Sequence, residues 1–423
     1  MKLKLKTLLP SCFLMFIVFH LLWALWGELS YEDSLFNLGV FFLFSWALVR
    51  FINNRWRQSL IIELAFLAGW CGLMFLAYEN ADYSYVAKNV SFLGFIVDSH
   101  ARIMIYTFLL LIPGIILSES FSYKNSRIVK IIIFVILVTS LFYSVRAVIV
   151  FPDALRARRT TAFLGYEDIL YGTPTYAIVY SLCLYVPYFL ARYSLTKGRT
   201  KLYYVLMVAC LFIIVTISQF ATALLALLLG LFVFWFMSSN RYSGSVLSRI
   251  VVTSILIIML FIRTPIADLF SSLAESVTGA WAEKLEELAQ FMRGDGTTGG
   301  LASRISLYSD SLSVFRDSPL FGMIFSGAFD GEIGGHSSLF DMLALTGISG
   351  TLLFIGAVYN ARKRMQLSTS GKVNKAAINA ITITYIFLAL TKNIITALSV
   401  NFSFFVMLPI LFSMKESSVD EYI

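Results

Sequence analysis

Roughly a dozen apolar segments, most about 17–25 residues long, run from Leu8 to Met414 and decide the class of fold. A segment of that length spans the ~30 Å hydrocarbon core of a bilayer only as a helix, because lipid offers the backbone no hydrogen-bond partners. The apolar runs predict helices near 8–27, 31–51, 59–78, 101–118, 128–149, 171–191, 202–218, 220–237, 246–262, 337–359, 375–391 and 395–413. The break near Ser218 and Gln219 rests on little, since Leu202 to Phe236 is almost continuously apolar. The expected fold is all-α: a polytopic transmembrane bundle of about twelve helices, forming one integral-membrane domain over 1–423. A mean hydropathy of +0.80 excludes an ordinary soluble domain. So does the 14% of charged residues, where about 25% is usual.

The charges sort by side of the membrane. Lys2, Lys4 and Lys6 precede the first segment, and the loops on the same side hold Arg50, Arg55, Arg57, Lys124, Arg127, Lys130, Arg192, Lys197, Arg199, Lys201, Arg241, Arg249, Arg362, Lys363, Arg364, Lys372 and Lys375. With Lys415, that side has 21 of the 33 basic residues. The positive-inside rule then places both termini in the cytoplasm. Leu8 to Trp26 is long enough to span and no small-residue cleavage site follows, so it is expected to be an uncleaved first helix.

Several functional classes drop out. The net charge of +8 is mostly topogenic, and no zinc-finger spacing or RNA-binding motif points to nucleic acid. Cys12, Cys71, Cys183 and Cys210 all lie in apolar segments, which suggests neither a disulfide framework nor a thiolate metal site. Walker, Rossmann, HExxH and GxSxG patterns are missing. A transporter would show paired repeats with short outer loops; here the halves differ.

Two loops on the outer side stand out. The first, at 151–170, contains Arg156, Arg158, Arg159, Glu167 and Asp168. The second, at 263–336, is far longer than a connector needs. Within it an amphipathic helix is expected near 273–292, where Trp281, Leu285, Leu288 and Met292 recur at helical spacing. The Gly-rich stretch Arg293 to Gly300 follows, its RGD triplet a short match of no weight, and Pro319 with Gly322 marks another turn. Val90 to Val97 is too short to span and is expected to be a surface or re-entrant piece.

An arginine cluster outside the membrane needs a reason. Arg156, Arg158 and Arg159 are either paired with Asp153, Glu167 and Asp168 or form a surface for phosphate or pyrophosphate, which guanidinium groups grip as a fork. Gly172, Thr173 and Pro174 then open a helix whose free amides could add to anion binding. Arg146, within about two turns of a segment end, either snorkels or holds a buried anion. In the second loop Arg304, Tyr308 and Ser311 share a face if helical, and Arg316 follows in FRDSPLFG. Asp310 and Asp317 are either partners for those arginines or ligands for a cation, though nothing has the spacing of a DxD-type or EF-hand site. His336 follows Gly334 and Gly335 at the mouth of an apolar helix, where an imidazole could take a proton from a hydroxyl or simply satisfy a carbonyl. His20 is expected to be structural, and His100 lies near Asp98 and Arg102.

With these features the chain resembles the O-antigen polymerase and ligase superfamily of bacterial inner-membrane proteins. The resemblance rests on two regions. Arg156 precedes Gly172 by sixteen positions, a spacing described in the polymerases. The second region runs Ser303, Arg304, Phe315, Asp317 to Gly322, Gly334 to His336, then Leu343, Gly347 and Gly350. Two departures are Ser337, where many relatives have Asn, and the lack of a glycine at the family's interval after Arg304. The resemblance implies a GT-C-like membrane glycosyltransferase, metal-independent and inverting, without a cofactor. Its substrate would be an oligosaccharide on undecaprenyl pyrophosphate, presented in the periplasmic leaflet. Its partners would be a flippase and a chain-length regulator. His336 and Arg304 would be catalytic, the other arginines would bind pyrophosphate, and Gly172, Gly334, Gly335 and Tyr308 would support them. From Asp268 through Glu332 the loop carries ten acidic residues against four basic ones, which favours a neutral or weakly charged sugar acceptor and hence a polymerase over a ligase acting on phosphorylated lipid A–core. A non-enzymatic flippase or exporter would need a polar route, for which Glu63 is the main candidate.

Overall fold

The structure, a computed structural model, describes residues 34–53, 57–80, 90–92, 95–97, 99–120, 123–150, 174–198, 200–218, 220–238, 263–277, 280–293, 300–325, 333 and 335–413. For some of these, Arg304 and His100 among them, the description stops at the backbone. The expected helices near 8–27 and 246–262 lie outside the described residues.

The other ten expected helices are present. They are α1 (Ser34–Asn53), α2 (Gln58–Asn80), α3 (Ser99–Ser120), α4 (Tyr123–Val150), α5 (Tyr176–Leu195), α6 (Thr200–Ile217), α7 (Ala221–Ser238) and, after a further helical stretch, three C-terminal helices. Among the described residues eight helices are long and apolar enough to cross a membrane, and Val40–Asn53 and Leu398–Phe412 are shorter apolar ones. The chain is thus an all-α, multi-pass membrane protein. The break at Ser218 is real: Ser218 Oγ donates to the Val215 carbonyl (2.7 Å) and its amide to Ile214 (3.0 Å), which closes α6 before α7 begins. The 90–97 segment is a minimal antiparallel hairpin, β1 (Val90–Phe92) with β2 (Phe95–Val97).

The long second loop is itself helical. One amphipathic helix was expected near 273–292, and two are found: α8 (Arg263–Ser276) and α9 (Ala280–Arg293), packed on one another. Arg293 donates to Asp268 (2.9 Å) and to Ser271 (3.0 Å), and Ser271 donates to Glu286 (2.9 Å). These polar ties cross the hairpin and explain the division, since the β-branched, glycine-containing stretch 277–279 (Val-Thr-Gly) is a poor helix former. Next come α10 (Gly300–Asp317) and a short 3₁₀ turn, Gly322–Ile324.

The core is built on α11 (Ser338–Leu367), which packs most extensively on α2. Trp70 on α2 donates to the Met342 sulfur (3.2 Å) and its ring lies 5.1 Å from that of Phe354. Beside α11 stands α12 (Lys372–Thr391), which packs on α5 and α7. The final helix, α13 (Leu398–Phe412), contains a π-helical turn at Ser403–Met407. Tyr385 of α12 stacks on Phe404 (4.1 Å) and donates to Asn401 (2.7 Å), whose amide in turn donates to the carbonyls of Ile394 and Ile395. Buried Asn401 thus satisfies two carbonyls of the non-helical link between α12 and α13.

Candidate functional site

The residues from α10 to the middle of α11 close on one another. Tyr308, Ser311 and Val314 fall at helical spacing on one face of α10. Tyr308 lies against Phe340 (5.1 Å), Ser311 Oγ donates to Asp341 Oδ1 (2.8 Å), and Val314 joins Met323 and Ala344 in a small apolar cluster. The Ser-Pro-Leu-Phe-Gly turn then docks against a break in α11. At Gly347 the backbone adopts φ 62° and ψ −157°, a region open in practice only to glycine. The amides freed by that break find partners in the turn: Ile348 donates to the Pro319 carbonyl (2.8 Å) and Ser349 to Leu320 (3.2 Å). Two glycines permit this approach. A Cβ on Gly347 would sit 2.5 Å from the Leu320 carbonyl carbon, and one on Gly322 (φ 58°) 2.5 Å from that of Leu345.

The start of α11 is held from two sides. Gly335 (φ 67°) donates its amide to Asp341 Oδ1 (3.2 Å), so the carboxylate that receives Ser311 also fixes the glycine turn. On the other side Ser338 Oγ accepts from Ile394 (2.6 Å) and Ile395 (3.0 Å), and its amide donates to the Lys392 carbonyl (3.1 Å). His336, exposed, stands between these two anchors. Ser337 caps the helix by accepting from Phe340 (3.4 Å), and its carbonyl accepts from Asp341 (2.8 Å). The first-turn amides of Ser338, Phe340 and Asp341 are thus engaged, and Asp341 adds a carboxylate at the same place. This helix start is therefore no phosphate cradle. It presents an imidazole suited to hydrogen-bonding a hydroxyl.

Two buried charged residues here escaped the reading of the sequence. Asp341 is 3% exposed, and its Oδ2 has no hydrogen-bond partner among the described residues. Lys392 is buried at the end of α12. Each is an ionisable residue beside or within an apolar segment, which is by itself a signal.

The other expected site residues fare differently. Arg304 belongs to α10 and precedes Tyr308 by four positions, on the same helical face; its side chain is outside the description. Arg316 and Asp317 are exposed at the end of α10. Arg146 is exposed on α4. Arg156, Arg158, Arg159, Gly172 and Gly334 lie outside the described residues. The helix expected from 171 starts at Tyr176, after a buried Pro174. Among the described residues no cluster of three His, Cys, Asp or Glu could hold a metal ion.

A second polar centre lies at the opposite end of α11. Arg364, counted above among loop cations, is inside the helix and 8% exposed. Its Nε and Nη2 donate to both oxygens of Glu63 (2.9 and 3.0 Å), Nη2 also donates to the Phe405 carbonyl (2.6 Å), and Nη1 donates to Ser118. Glu63 is 1% exposed, with both its carboxylate oxygens bonded to Arg364. No protein-family model matches the chain, and no curated protein matches it.

Proposed function

We propose that this chain is a polymerase of O-antigen or a related surface polysaccharide, in a bacterial inner membrane, with both termini cytoplasmic and the site on the periplasmic side. The reading rests on one observation: parts of the sequence that carry the resemblance, separated by about thirty residues, meet in space. The Pro319–Leu320 turn accepts from Ile348 and Ser349 beside Gly347, and the Asp341 carboxylate that accepts from Ser311 also holds the amide of Gly335. The engagement of Glu63 by Arg364 supports an enzyme over an exporter.

In this reading a growing glycan on undecaprenyl pyrophosphate is the donor, and the distal sugar of a new lipid-linked repeat unit is the acceptor. The acceptor oxygen attacks the donor's anomeric carbon from the face opposite the pyrophosphate. The C1–O bond breaks, its electron pair leaves on the pyrophosphate, and the configuration inverts. Arg156, Arg158, Arg159, Arg304 and Arg316 would neutralise the charge that develops on the leaving group. His336 would orient the acceptor hydroxyl and receive its proton. No metal or cofactor is required by these roles.

Deleting the protein from its host tests this against ligation. Loss of a polymerase leaves a ligase free to transfer single units, so lipid A–core should carry one repeat unit and no more. Bare core with accumulated long lipid-linked chains would identify a ligase. Loss of all repeat units from the outer leaflet would identify an exporter.

A further inference from the structure

The contacts between α10 and α11 run in register and in the same direction: Tyr308 with Phe340, Ser311 with Asp341, Val314 with Ala344, Pro319 with Ile348. The second half of α10 therefore descends beside α11. How far it descends follows from α12. Ser338 is bonded to Lys392, so the start of α11 and the end of α12 share one level. Lys375 and Lys392 bracket the apolar part of α12 and lie seventeen positions apart, about 25 Å of helix. That is no more than the hydrocarbon core requires, so the level of Ser338 is the membrane's edge and not beyond it. Exposed Ile383, Ile386 and Leu390 keep α12 lipid-compatible up to that edge. Gly347 is nine positions further along α11, about 13 Å below the edge. The turn docked on Gly347 is at the same depth.

We propose that residues 308–325 are a re-entrant wedge whose Leu320, Phe321 and Phe325 tip lies among the hydrocarbon chains of the surrounding lipid. These side chains are 63%, 44% and 78% exposed, while Met323 and Ile324 of the same turn are buried against the bundle. Their level continues the exposed apolar stripe of α11, made of Ile348, Leu352 and Ile355. Several backbone groups at this depth are bonded within the contact: Ile348 and Ser349 donate to Pro319 and Leu320, Gly322 to Ser318 and Ile324 to Phe321. The opposite face of α10 has a different character. Ser306, Ser309, Ser313, Arg316 and Asp317 are all exposed there. The ionised Arg316 and Asp317 are costly among acyl chains, so this flank borders water that reaches down beside the helix. One element thus separates lipid at its tip from a hydrated recess along its side.

Single cysteines test the arrangement in protein whose native cysteines are replaced, reconstituted into vesicles of phosphatidylcholine. Leu320→Cys and Phe325→Cys should react with a charged, membrane-impermeant maleimide slower by an order of magnitude or more than Ser309→Cys and Ser313→Cys. A bimane label, attached before reconstitution, should be quenched by lipid brominated at mid-chain at 320 and 325, and hardly at 309 and 313. Labelling in sodium dodecyl sulfate checks that every cysteine is competent. Equal reaction at all four positions, without quenching, would place the turn in water and overturn the wedge. Strong quenching at 309 and 313 would remove the hydrated flank.

Discussion

The Glu63–Arg364 pair lends itself to a quantitative test. Replacing Arg364 with Met leaves a carboxylate 1% exposed without its counter-ion, and deprives the Phe405 carbonyl and Ser118 of a donor. Breaking a buried pair from one side costs about 3–5 kcal/mol, most of it the uncompensated charge. Replacing both residues by methionine removes both charges, and apolar replacements of whole buried pairs are close to neutral. The double variant should therefore recover most of the loss, less roughly 1 kcal/mol for each backbone or hydroxyl partner left unsatisfied. The assay is unfolding of the purified protein in mild detergent by titration with sodium dodecyl sulfate. An Arg364→Met variant as stable as the parent would show that the pair is solvated and not enclosed. A double variant as unstable as the sum of the singles would show that packing, and not charge, governs this end of α11.

Three further predictions concern the docked turn, the arginines and His336. Gly347→Ala places a methyl group against the Leu320 backbone in a conformation alanine avoids, and should lower stability by about 2 kcal/mol or more and abolish long-chain product; wild-type behaviour in the same detergent titration would refute the docked turn. Lysine in place of Arg156, Arg159 or Arg304 keeps the charge but loses the planar fork, so chain extension should fall sharply in each case; normal extension by the lysine variants would reduce the requirement to net positive potential. If His336 takes the proton, His336→Gln should be nearly inactive, and the parent rate should fall at acid pH as the imidazole becomes protonated. Substantial activity in His336→Gln with an unchanged pH profile would leave only a hydrogen-bonding role.

Much of the fold was legible because bilayer thickness imposes a length on each apolar run, and because a break such as Ser218 interrupts it. Interactions over long sequence distance were not legible. Arg364 follows Arg362 and Lys363 and so looks like a loop cation, while the residue that draws it into the bundle is 301 positions away. Nothing in the spacing of Arg304, Tyr308 and Ser311 tells which helix their face meets. Asp341 could have been found, since a lone carboxylate in an apolar helix is costly enough to require a reason. The split of the amphipathic stretch into α8 and α9 was visible in outline in the Val-Thr-Gly run, but the bond from Arg293 to Asp268 that closes the hairpin was not. The glycines show the limit most plainly. Gly322 and Gly347 are marked in the sequence as a turn and a late helical glycine, and only in three dimensions do they become the two halves of one contact.

The most direct test of the proposed activity is reconstitution with one substrate. Purified protein would receive short repeat units on undecaprenyl pyrophosphate, with EDTA present and with no nucleotide sugar and no lipid A–core. A polymerase gives a ladder of lipid-linked products spaced by one repeat unit, with undecaprenyl pyrophosphate released at each step. No ladder until lipid A–core is added, followed by a single transfer to each core, would contradict polymerisation in favour of ligation. A ladder that appears only without EDTA would contradict the metal-independent chemistry.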